Sequence, residues 1–381
     1  MRITIVLGAF FPVPPVMGGA IEKVWFALAQ EFARRGHEVV QISRSVPRFP
    51  REEIIDRVRH LRVRGFDTPR SLVWLKFLDL LYSINTLSIL PEADIIVPHT
   101  FWLPILLRNS KRGKVYVHVG RYPKGQMRFY RHVARLQAPT QALAHAVAAE
   151  ARELERKISV VPNPRPQSAS NQLPIPIDER EKIILFVGRV HPEKGVHVLV
   201  EAFASGARTV FADWKLMIVG PTETKFGGGG RQYLAELERG ARNTGVTFRG
   251  AVFDAVELEK DYRSARLFIY PSLADRGESF GLAPLEAMAH GCAVVVSNLG
   301  CFHDFIRDGD TGFIFNHRAL NPADALREKI ENVIVDPILL SRVAEAGYRK
   351  SAEYSLARVA DQFLSDFDSI VRKSDAATTN R

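Results

Sequence analysis

Two acidic residues flank a short apolar stretch in Gly277–Gly291, GESFGLAPLEAMAHG, and they are the side chains best suited to chemistry. If a helix begins near Ala283–Pro284, Glu278 lies on the loop before it and Glu286 lies in its first turn. Ionised carboxylates only accept hydrogen bonds, so they suit ligands that donate them, such as sugar hydroxyl groups. The alternative is that both are ordinary acidic residues, which are favoured near a helix N-terminus without any ligand.

The same segment predicts an anion site at the start of that helix. Pro284 suits the first helical turn, where its missing N–H is not needed. The backbone N–H groups of Phe280, Gly281 and Leu282 would then point toward a bound phosphate. Gly281 has no side chain, so a phosphate could approach the backbone closely.

A second cluster of candidate residues lies in Phe186–Phe203, FVGRVHPEKGVHVLVEAF. A predicted strand ends at Gly188, and Arg189 and Lys194 follow in the loop that leads to the next helix. Loops at the carboxyl ends of parallel strands line the ligand crevice of α/β proteins. A guanidinium and an ammonium group there could neutralise a leaving diphosphate. The alternative is two solvated loop charges.

The first half of the chain carries weaker patterns. In Pro12–Glu22, Gly18 and Gly19 follow a strand and precede a helix, where a backbone could cradle a phosphate. They do not form the G-x-G-x-x-G fingerprint of dinucleotide-binding proteins, and a plain tight turn is the alternative. His118 lies near the end of the apolar strand Lys114–Val119, where a histidine satisfied within the core is the alternative. The sequence contains no credible metal-ligand spacing, no nucleophile elbow and no Walker-type phosphate loop.

Strands and helices alternate along the chain, which predicts parallel sheets covered by helices on both faces. The segment Pro162–Pro176 contains five prolines and is typical of a linker between two such series. The pattern therefore predicts an α/β protein with two Rossmann-like β/α/β domains facing a central cleft. The expected division is residues 1–165, residues 166–355 and a C-terminal helical segment over residues 356–381. Four consecutive glycines, Gly227–Gly230, predict a flexible surface loop, with a mobile lid near the cleft as the alternative.

Composition excludes several classes of protein. The chain has 381 residues, of which 46% are hydrophobic and 25% charged, as in an ordinary soluble globular protein. Two cysteines in this length cannot form a disulfide framework, which favours a reducing cytoplasm. The apolar run after Met1 is short and interrupted by prolines, unlike a signal peptide. The polar residues Lys76, Asp79 and Asn85 argue against a membrane span over Ser71–Leu90.

The net charge of +10 is unevenly distributed. Residues 1–170 hold 26 Lys and Arg against 13 Asp and Glu, whereas residues 171–381 hold 26 against 29. A basic first half favours an anionic partner such as nucleic acid, a phosphorylated substrate or an anionic membrane. Eight arginines in Arg44–Arg70 precede the apolar segment Ser71–Leu90 and suggest membrane contact. The alternative is a solvated charged face beside a packed helix.

Read together, these stretches resemble the GT-B glycosyltransferases of family 4, the retaining, nucleotide-sugar-dependent group 1 transferases that include glycogen-synthase-like and mannosyltransferase-like enzymes. The resemblance is dense in the second half, in VGRVHPEKG, FRGAVF, the run LFIYPSLADRGESFGLAPLEAMAHGCAVVVSNLG and DGDTGFIF. It is looser in the first half, where it rests on the glycine pair, the strand histidine and VVPNP before the linker. The E-x7-E spacing of Glu278 and Glu286 around FGL is specific to this class.

The resemblance implies roles for four catalytic residues. Arg189 and Lys194 would bind the donor diphosphate and stabilise its charge as it leaves. Glu278 would hold hydroxyl groups of the transferred sugar, and His118 would lie near the sugar C6 side and the reacting carbon. It also implies that the C-terminal helix crosses back onto the first domain.

The resemblance further implies a set of substrate-binding residues. Glu286 would accept hydrogen bonds from the ribose, the glycine pair and the amides before the helix would contact phosphate, and residues 250–253 would meet the nucleobase. The full set is Gly18, Gly19, Gly188, Gly250, Val252, Phe253, Ser279, Phe280, Gly281, Leu282 and Glu286.

Three positions depart from the family pattern. Cys301 stands where family members often have a second glycine, and Asp304 stands where a glutamate is common. Val119 and Gly120 follow His118 where an aspartate is often found. The first two departures lie at the edge of the expected donor pocket.

The resemblance implies a retaining transferase that moves a sugar from a UDP- or GDP-linked donor to a hydroxyl of a glycan or lipid-linked acceptor. It implies no cofactor and no metal, because cations and a helix terminus supply the electrostatic stabilisation. The expected location is cytoplasmic, peripheral on the inner face of the cytoplasmic membrane through the basic first half. A UDP-sugar 2-epimerase on the same architecture is the first alternative. A basic nucleic-acid-binding protein is the second, although no helix-turn-helix or aromatic-interleaved basic strand is present.

Overall fold

The computed structural model describes residues 1–17, 19–69, 71–166 and 172–379, with side chains as far as residue 372. The chain divides into two compact units, each with its own parallel sheet. The first unit comprises Met1–Pro164 together with Leu356–Arg381, and the second comprises Arg165–Ser355. Part of the predicted linker, residues 167–171, lies outside the described residues.

In the part of the first unit that the structure describes, the sheet has eight strands. They are β1 (Arg2–Val6), β2 (Glu38–Arg44), β3 (Glu52–Ile55), β4 (Val58–Val63), β5 (Ile95–Pro98), β6 (Lys114–His118), β7 (Arg135–Ala138) and β8 (Ile158–Val160). Their order is β3-β4-β2-β1-β5-β6-β7-β8. The hairpin of β3 and β4 is antiparallel and the other pairs are parallel. The central strands are short apolar runs because helices cover both of their faces.

The described residues of the first unit contain five α-helices. They are α1 (Ala20–Arg34), α2 (Leu72–Ile89), α3 (Leu103–Leu106), α4 (Gln141–Glu150) and the C-terminal helix, numbered α11 (Leu356–Thr379) after the helices of the second unit. Phe363 and Phe367 of α11 lie against Phe32 of α1, with ring centroids 6.5 and 5.9 Å away. The Tyr116 hydroxyl donates to Asp366 over 2.9 Å. These apolar and polar contacts hold the chain's last helix on the first unit.

Over its described residues, the second unit has a six-stranded, all-parallel sheet. Its strands are β9 (Glu181–Val187), β10 (Lys215–Val219), β11 (Val246–Gly250), β12 (Ala265–Tyr270), β13 (Ala293–Ser297) and β14 (Phe313–Phe315). Their order is β11-β10-β9-β12-β13-β14. The helices are α5 (Val196–Gly206), α6 (Gly230–Gly240), α7 (Ala255–Ser264), α8 (Leu282–Ala289), α9 (Pro322–Ile334) and α10 (Pro337–Ser351). This order makes β9 and β12 neighbours, although they are far apart in sequence.

Within the arginine-rich segment, β3 and β4 form a hairpin and some of the arginines are buried, whereas contact with a membrane stays a prediction. The side chain of Arg62 is fully buried, and its guanidinium donates to the carbonyls of Val13 and Pro50 over 3.0 and 2.8 Å. Arg44 donates to the Phe10 carbonyl over 2.8 Å, and Arg59 pairs with Glu52. Hence three of the eight arginines hold backbone or carboxylate groups within the fold, and Arg70 lies outside the described residues.

Among the described helices, α2 has the length and apolar composition of a membrane span. In the sequence analysis, the polar residues Lys76, Asp79 and Asn85 within this segment argued against a membrane span. The structure places α2 on the surface of the first unit, with Asp79 buried.

A buried histidine in β4 predicts loss of stability in acid. Burial lowers the pKa of His60 to about 4, and neither ring nitrogen has a hydrogen-bond partner among the described residues. Because its folded pKa lies below its unfolded value, stability is intact at neutral pH and falls as pH drops from about 6.5 toward 4. This residue alone should contribute about 2 kcal/mol of destabilisation at pH 5 relative to pH 7.

The measurement is the melting temperature of wild type and His60→Leu at pH 7 and pH 5. The variant should lose less stability on acidification than wild type. His145→Leu, on the exposed surface of α4, is the control and should behave as wild type. Equal acid sensitivity of wild type and His60→Leu would contradict the prediction.

Candidate active site

Two loops of the second unit meet at the carboxyl ends of β9 and β12. The loop after β9 carries Arg189 and Lys194, and the loop after β12 carries Glu278. The backbone N–H of Leu273 donates to the carbonyl of Glu193 over 2.8 Å and joins the two loops. Gly195 has a φ of 67°, and an added Cβ would lie 2.0 Å from the carbonyl oxygen of Pro271. The two sequence motifs therefore form one site, because their strands are neighbours in the sheet.

Lys194 and Glu278 form a buried ion pair at this junction. Lys194 Nζ lies 2.6 Å from Glu278 Oε2, and the two side chains are only 8% and 11% exposed. The Ser272 hydroxyl lies 3.3 Å from the same carboxylate oxygen. The ammonium group also lies 5.5 Å from the centroid of the Tyr270 ring. Sequence reasoning treated the two charged residues as separate ligand contacts and overlooked both their pairing and the serine.

The surroundings of the pair are apolar and keep nearby groups neutral. Burial and the nearby Glu278 charge raise the pKa of the Tyr270 hydroxyl well above its usual range. Burial also raises the pKa of the Cys301 thiol, and Glu278 adds to that effect. The cysteine that departs from the family pattern therefore borders the carboxylate expected to hold the sugar. In such a low-dielectric setting, charge–charge interactions are stronger than in water.

Arg189 is held at the edge of the site by two acceptors. Its guanidinium donates to Glu193 Oε1 over 2.5 Å and to the carbonyl of Gly227 over 2.8 Å. Partial burial raises the pKa of Glu193, but the hydrogen bond from Arg189 and the nearby positive charges together outweigh burial, and the net direction is down. The arginine and glutamate are both about two-fifths exposed, so the guanidinium remains accessible to an anion.

The glycine loop, Gly227–Gly230, is hydrogen-bonded to the same region, and its flexibility stays a prediction. The N–H of Gly229 donates to the carbonyl of Val190, and the N–H of Gly230 donates to that of Thr222, both over 2.8 Å. An added Cβ at Gly228 would lie 2.2 Å from the carbonyl carbon of Thr222. These glycines allow the loop to pack closely against its neighbours and to support Arg189.

Helix α8 begins at Leu282, as the sequence predicted to within two residues. Gly281 precedes it with a φ of 91°, and an added Cβ would lie 2.4 Å from Cε1 of Phe302. Phe280 is buried, with its ring centroid 5.6 Å from that of Phe305. Phe280 thus anchors the turn while Gly281 permits its shape. The first N–H groups of a helix lack partners inside it, so this end of α8 provides donors for an anion.

Glu286 lies beyond the first turn of α8, which corrects its predicted place in that turn. The Tyr262 hydroxyl lies 3.2 Å from Glu286 Oε2. Burial and the Glu286 charge raise the pKa of Tyr262 well above its usual range, so this hydroxyl remains a donor. The His290 ring stacks on Tyr262, with centroids 5.4 Å apart. Sequence reasoning did not identify Tyr262 as the residue that orients Glu286.

The other predicted residues of the second unit lie at the end of a strand or on a loop that follows one. Gly250 ends β11 with a φ of 76°, and its carbonyl accepts from Gly220 N–H over 2.8 Å. Phe253 is exposed, and its ring centroid lies 5.8 Å from that of Phe226. Val252, Gly188 and Ser279 are half-buried. These positions follow the strands as predicted, and their role in substrate binding stays a prediction.

In the first unit, His118 ends β6 inside a cluster of rings. Its Nδ1 lies 2.5 Å from Oε1 of Gln137, and its ring centroid lies 5.3 Å from that of His99 and 5.6 Å from that of Trp25. Burial lowers the pKa of His118 to about 4, so the imidazole is neutral at physiological pH. Gln137 was overlooked because β7, which carries it, has no clear strand pattern.

Of the glycine pair, Gly19 lies at the start of α1. Gly19 precedes this helix with a φ of 92°, and an added Cβ would lie 2.1 Å from Oε2 of Glu22. Burial raises the pKa of Glu22, whose carboxyl group lies over the glycine. Gly18 lies outside the described residues. Within the described part of the chain, no group of three or more His, Cys, Asp or Glu residues is placed to hold a metal ion.

The buried pair predicts strong coupling between Lys194 and Glu278. Lys194→Met should destabilise the second unit by about 3–5 kcal/mol, because it leaves a buried carboxylate without its counter-charge. The double variant Lys194→Met/Glu278→Leu should recover most of this loss. Thermal unfolding of the full chain measures both effects.

The exposed pair of Lys215 and Glu181 is the matched control, and Lys215→Met should change the melting temperature little. A double variant as unstable as Lys194→Met alone would show that the two charges are not coupled.

Gly281→Ala should destabilise the start of α8 by about 1–3 kcal/mol through strain at positive φ and collision with Phe302. Gly309→Ala is the control, because Gly309 has a φ of 74° but no atom within 4 Å of an added Cβ. The difference in melting temperature between the two variants isolates the collision. Equal losses would mean that Phe302 moves aside freely.

Comparison with known protein families finds a matching family model for each half of the chain. Residues 169–350 match the family model described as glycosyl transferases group 1, and residues 17–166 match that described as glycosyltransferase family 4. The phosphatidyl-myo-inositol mannosyltransferase of Mycobacterium tuberculosis (strain CDC 1551 / Oshkosh) is 32% identical over 194 residues, which is 50% of this chain and 47% of that protein. The chain spans about half the length of such curated relatives.

Solved structures share the fold over nearly the whole chain. Sucrose-phosphate synthase from Thermosynechococcus elongatus has a TM-score of 0.77 at 19% identity and covers 99% of both chains. Anabaena HepE in complex with UDP and glucose has a TM-score of 0.69 at 16% identity, covering 97% of this chain and 100% of its own. The two parallel-sheet α/β units confirm the predicted GT-B fold class. Because the two family models match the chain from residue 17 to residue 350 apart from residues 167 and 168, it belongs to the group 1, family 4 glycosyltransferases.

Proposed function

We propose that this chain is a retaining, metal-independent transferase that moves a sugar from a nucleoside diphosphate to a hydroxyl group of a glycan or lipid-linked acceptor in polysaccharide or glycolipid biosynthesis. The observation that carries the proposal is the Lys194–Glu278 pair, buried where two strand-end loops meet and near the start of α8 in sequence. A cation, a carboxylate and a helix N-terminus are the groups that a sugar diphosphate needs.

A bound donor would satisfy both members of the pair. The diphosphate would give Lys194 an anionic partner, and the sugar hydroxyl groups would give Glu278 hydrogen-bond donors in place of the ammonium. Arg189 and the N–H groups at the start of α8 would share the phosphate charge. These fixed positive groups would stabilise the charge that grows on the leaving diphosphate, which is the role of a metal ion in other transferases.

Glu286 is proposed to accept hydrogen bonds from the ribose, with Tyr262 fixing its orientation. The loop that carries Gly250, Val252 and Phe253 is proposed to meet the base. Anabaena HepE, which shares the fold, is described in complex with UDP and glucose, and this supports testing UDP-sugars first. GDP-sugars are the second choice.

The proposed reaction forms and breaks bonds on one face of the sugar. The acceptor oxygen bonds to the anomeric carbon, the bond from that carbon to the phosphate oxygen breaks, and that phosphate oxygen takes the acceptor proton. The products are a glycoside with the donor's anomeric configuration and a nucleoside diphosphate. The roles of His118 beside the sugar and of Gly18 and Gly19 beside the phosphates rest on the family resemblance.

A lipid-linked acceptor is supported by a relative's description as a phosphatidyl-myo-inositol mannosyltransferase. The basic first half of the chain adds support, since it suits an anionic membrane surface. The proposed location is the inner face of the cytoplasmic membrane, with the protein peripheral to it.

The test is release of nucleoside diphosphate from a panel of UDP-, GDP- and ADP-sugars by the full chain. One donor should be hydrolysed slowly without acceptor, and Glu278→Gln and Lys194→Gln should each lower turnover about 10²–10³-fold. Lys215→Gln and Glu181→Gln, in the exposed pair, are matched controls and should retain wild-type turnover. Assays run well below each variant's melting temperature, and EDTA should have no effect.

Each alternative gives a different result. Conversion of a donor to its epimer without diphosphate release would favour a 2-epimerase. Salt-dependent binding to random DNA without binding any nucleotide would favour a nucleic-acid-binding protein. Inversion of the product's anomeric configuration, measured by NMR, would contradict retention.

A further inference from the structure

Helix α2 buries its polar side chains and exposes its apolar ones, which is the reverse of the usual arrangement for a helix on a soluble protein. Its buried side chains are polar, namely Asp79, Tyr82, Ser83 and Thr86. Its exposed side chains are mostly large and apolar. They are Leu72, Val73, Trp74, Phe77, Leu81, Ile84 and Ile89, with Val73 79% exposed and Trp74 58% exposed. We call these seven residues the apolar face of α2. Surface helices normally show the opposite arrangement, so this face calls for an apolar partner.

Specific hydrogen bonds fix α2 in this orientation. Asp79 Oδ2 accepts from the backbone N–H groups of Phe101 and Trp102 over 3.0 and 3.2 Å. The indole N–H of Trp102 donates to the carbonyl of Lys76 over 2.8 Å. Rolling the helix to hide its apolar face would break these bonds and expose the partners. These inner contacts therefore keep the apolar face of α2 directed outward.

The apolar surface continues beyond α2 with cations among the aromatic rings. Phe101 lies between the helix and Phe129, whose ring centroid is 6.5 Å away, and Phe129 is exposed. Lys76 Nζ lies 3.2 Å from the centroid of Phe101, and the Arg128 guanidinium lies 5.0 Å from that of Phe129. Aromatic rings and cations side by side are typical of protein surfaces at the boundary between lipid tails and headgroups.

The sequence around this surface is strongly basic. Residues 95–149 contain nine Lys and Arg and no Asp or Glu. Lys124, Arg128 and Arg131 are exposed on the segment that carries Phe129. This concentration of positive charge selects between the possible partners. In a symmetric contact with a second copy it would bring like charges together, whereas an anionic bilayer would attract it.

We infer that the apolar face of α2, with Phe129 and the cations of residues 124–131, inserts shallowly into the surface of an anionic lipid bilayer. The helix lies in the plane of the interface and does not span the membrane, because its inner face is hydrogen-bonded to the first unit. This inference rests on the proposed function in so far as it names the surface from which a lipid-linked acceptor is taken. The contacts of α2 carry it without any assumption about the donor.

The experiment is sedimentation of the full chain with vesicles of phosphatidylcholine alone or mixed equally with phosphatidylglycerol. Binding should require phosphatidylglycerol and should weaken as salt rises. The variant Val73→Ser/Trp74→Ser/Phe77→Ser should bind at least 10-fold more weakly. Leu320→Ser/Ile338→Ser, which removes exposed apolar residues from the second unit, should bind as wild type.

Charge variants separate this surface from the arginine-rich hairpin. Lys124→Gln/Arg128→Gln should weaken binding and flatten its salt dependence, whereas Arg57→Gln/Arg64→Gln should bind as wild type. Brominated lipids should quench Trp74 fluorescence, read as the signal lost in Trp74→Phe. Shallow insertion predicts stronger quenching by bromines near the headgroups than by bromines at the chain ends.

Unchanged vesicle binding by the triple α2 variant would overturn the inference. A second result would also overturn it. In that result, the wild-type chain binds no vesicles but forms a concentration-dependent dimer in analytical ultracentrifugation, and the triple variant abolishes that dimer. Donor hydrolysis is measured on the same preparations. Loss of vesicle binding with intact hydrolysis supports this inference, and absent hydrolysis with intact vesicle binding counts against the proposed function alone.

Discussion

The second unit is organised around one buried pair of opposite charges, Lys194 and Glu278. Burying either charge without its partner would be costly, so the loops that carry them must meet closely. The backbone bond between Leu273 and Glu193 and the absence of a side chain at Gly195 make that approach possible. A buried ion pair is seldom the most stable arrangement that a site can have. The proposed donor would use both charges, because its diphosphate would pair with Lys194 and its sugar hydroxyl groups would donate to Glu278.

The residues of this site could be predicted from the sequence, but their partnership could not. Spacing places Arg189 and Lys194 after one strand and Glu278 after another, and these placements agree with the structure. Lys194 and Glu278 are 84 positions apart, and the segment between them contains the strands β10, β11 and β12. Only the strand order, with β9 beside β12, turns that separation into a 2.6 Å contact. Tyr262 and Ser272 escaped prediction for the same reason, because each acts on a residue that another element supplies.

The first unit shows where hydrophobic patterning is least informative. Strands β4 and β7 carry arginine and glutamine at buried positions, so their periodicity does not resemble that of a core strand. Arg62 is buried because main-chain carbonyls accept its guanidinium protons, and Gln137 is buried because it joins His118 to the carbonyl of Val161. From the sequence alone, such polar residues are predicted to lie on the surface. Their burial becomes intelligible only once the surrounding backbone is known.

For helix α2, the composition was informative, but the sequence did not indicate which way its side chains point. Asp79 argued against a membrane span, and the structure directs that carboxyl group inward to two backbone N–H groups. A polar residue within an apolar helix can therefore serve to hold the helix flat on its own domain. This anchor distinguishes two kinds of helix that have nearly the same composition. A membrane-spanning helix must detach from its domain, whereas an interfacial helix stays packed on its domain with its apolar side directed outward. Part of the positive charge is exposed beside this helix, because Lys124, Arg128 and Arg131 lie on the segment that carries the exposed Phe129.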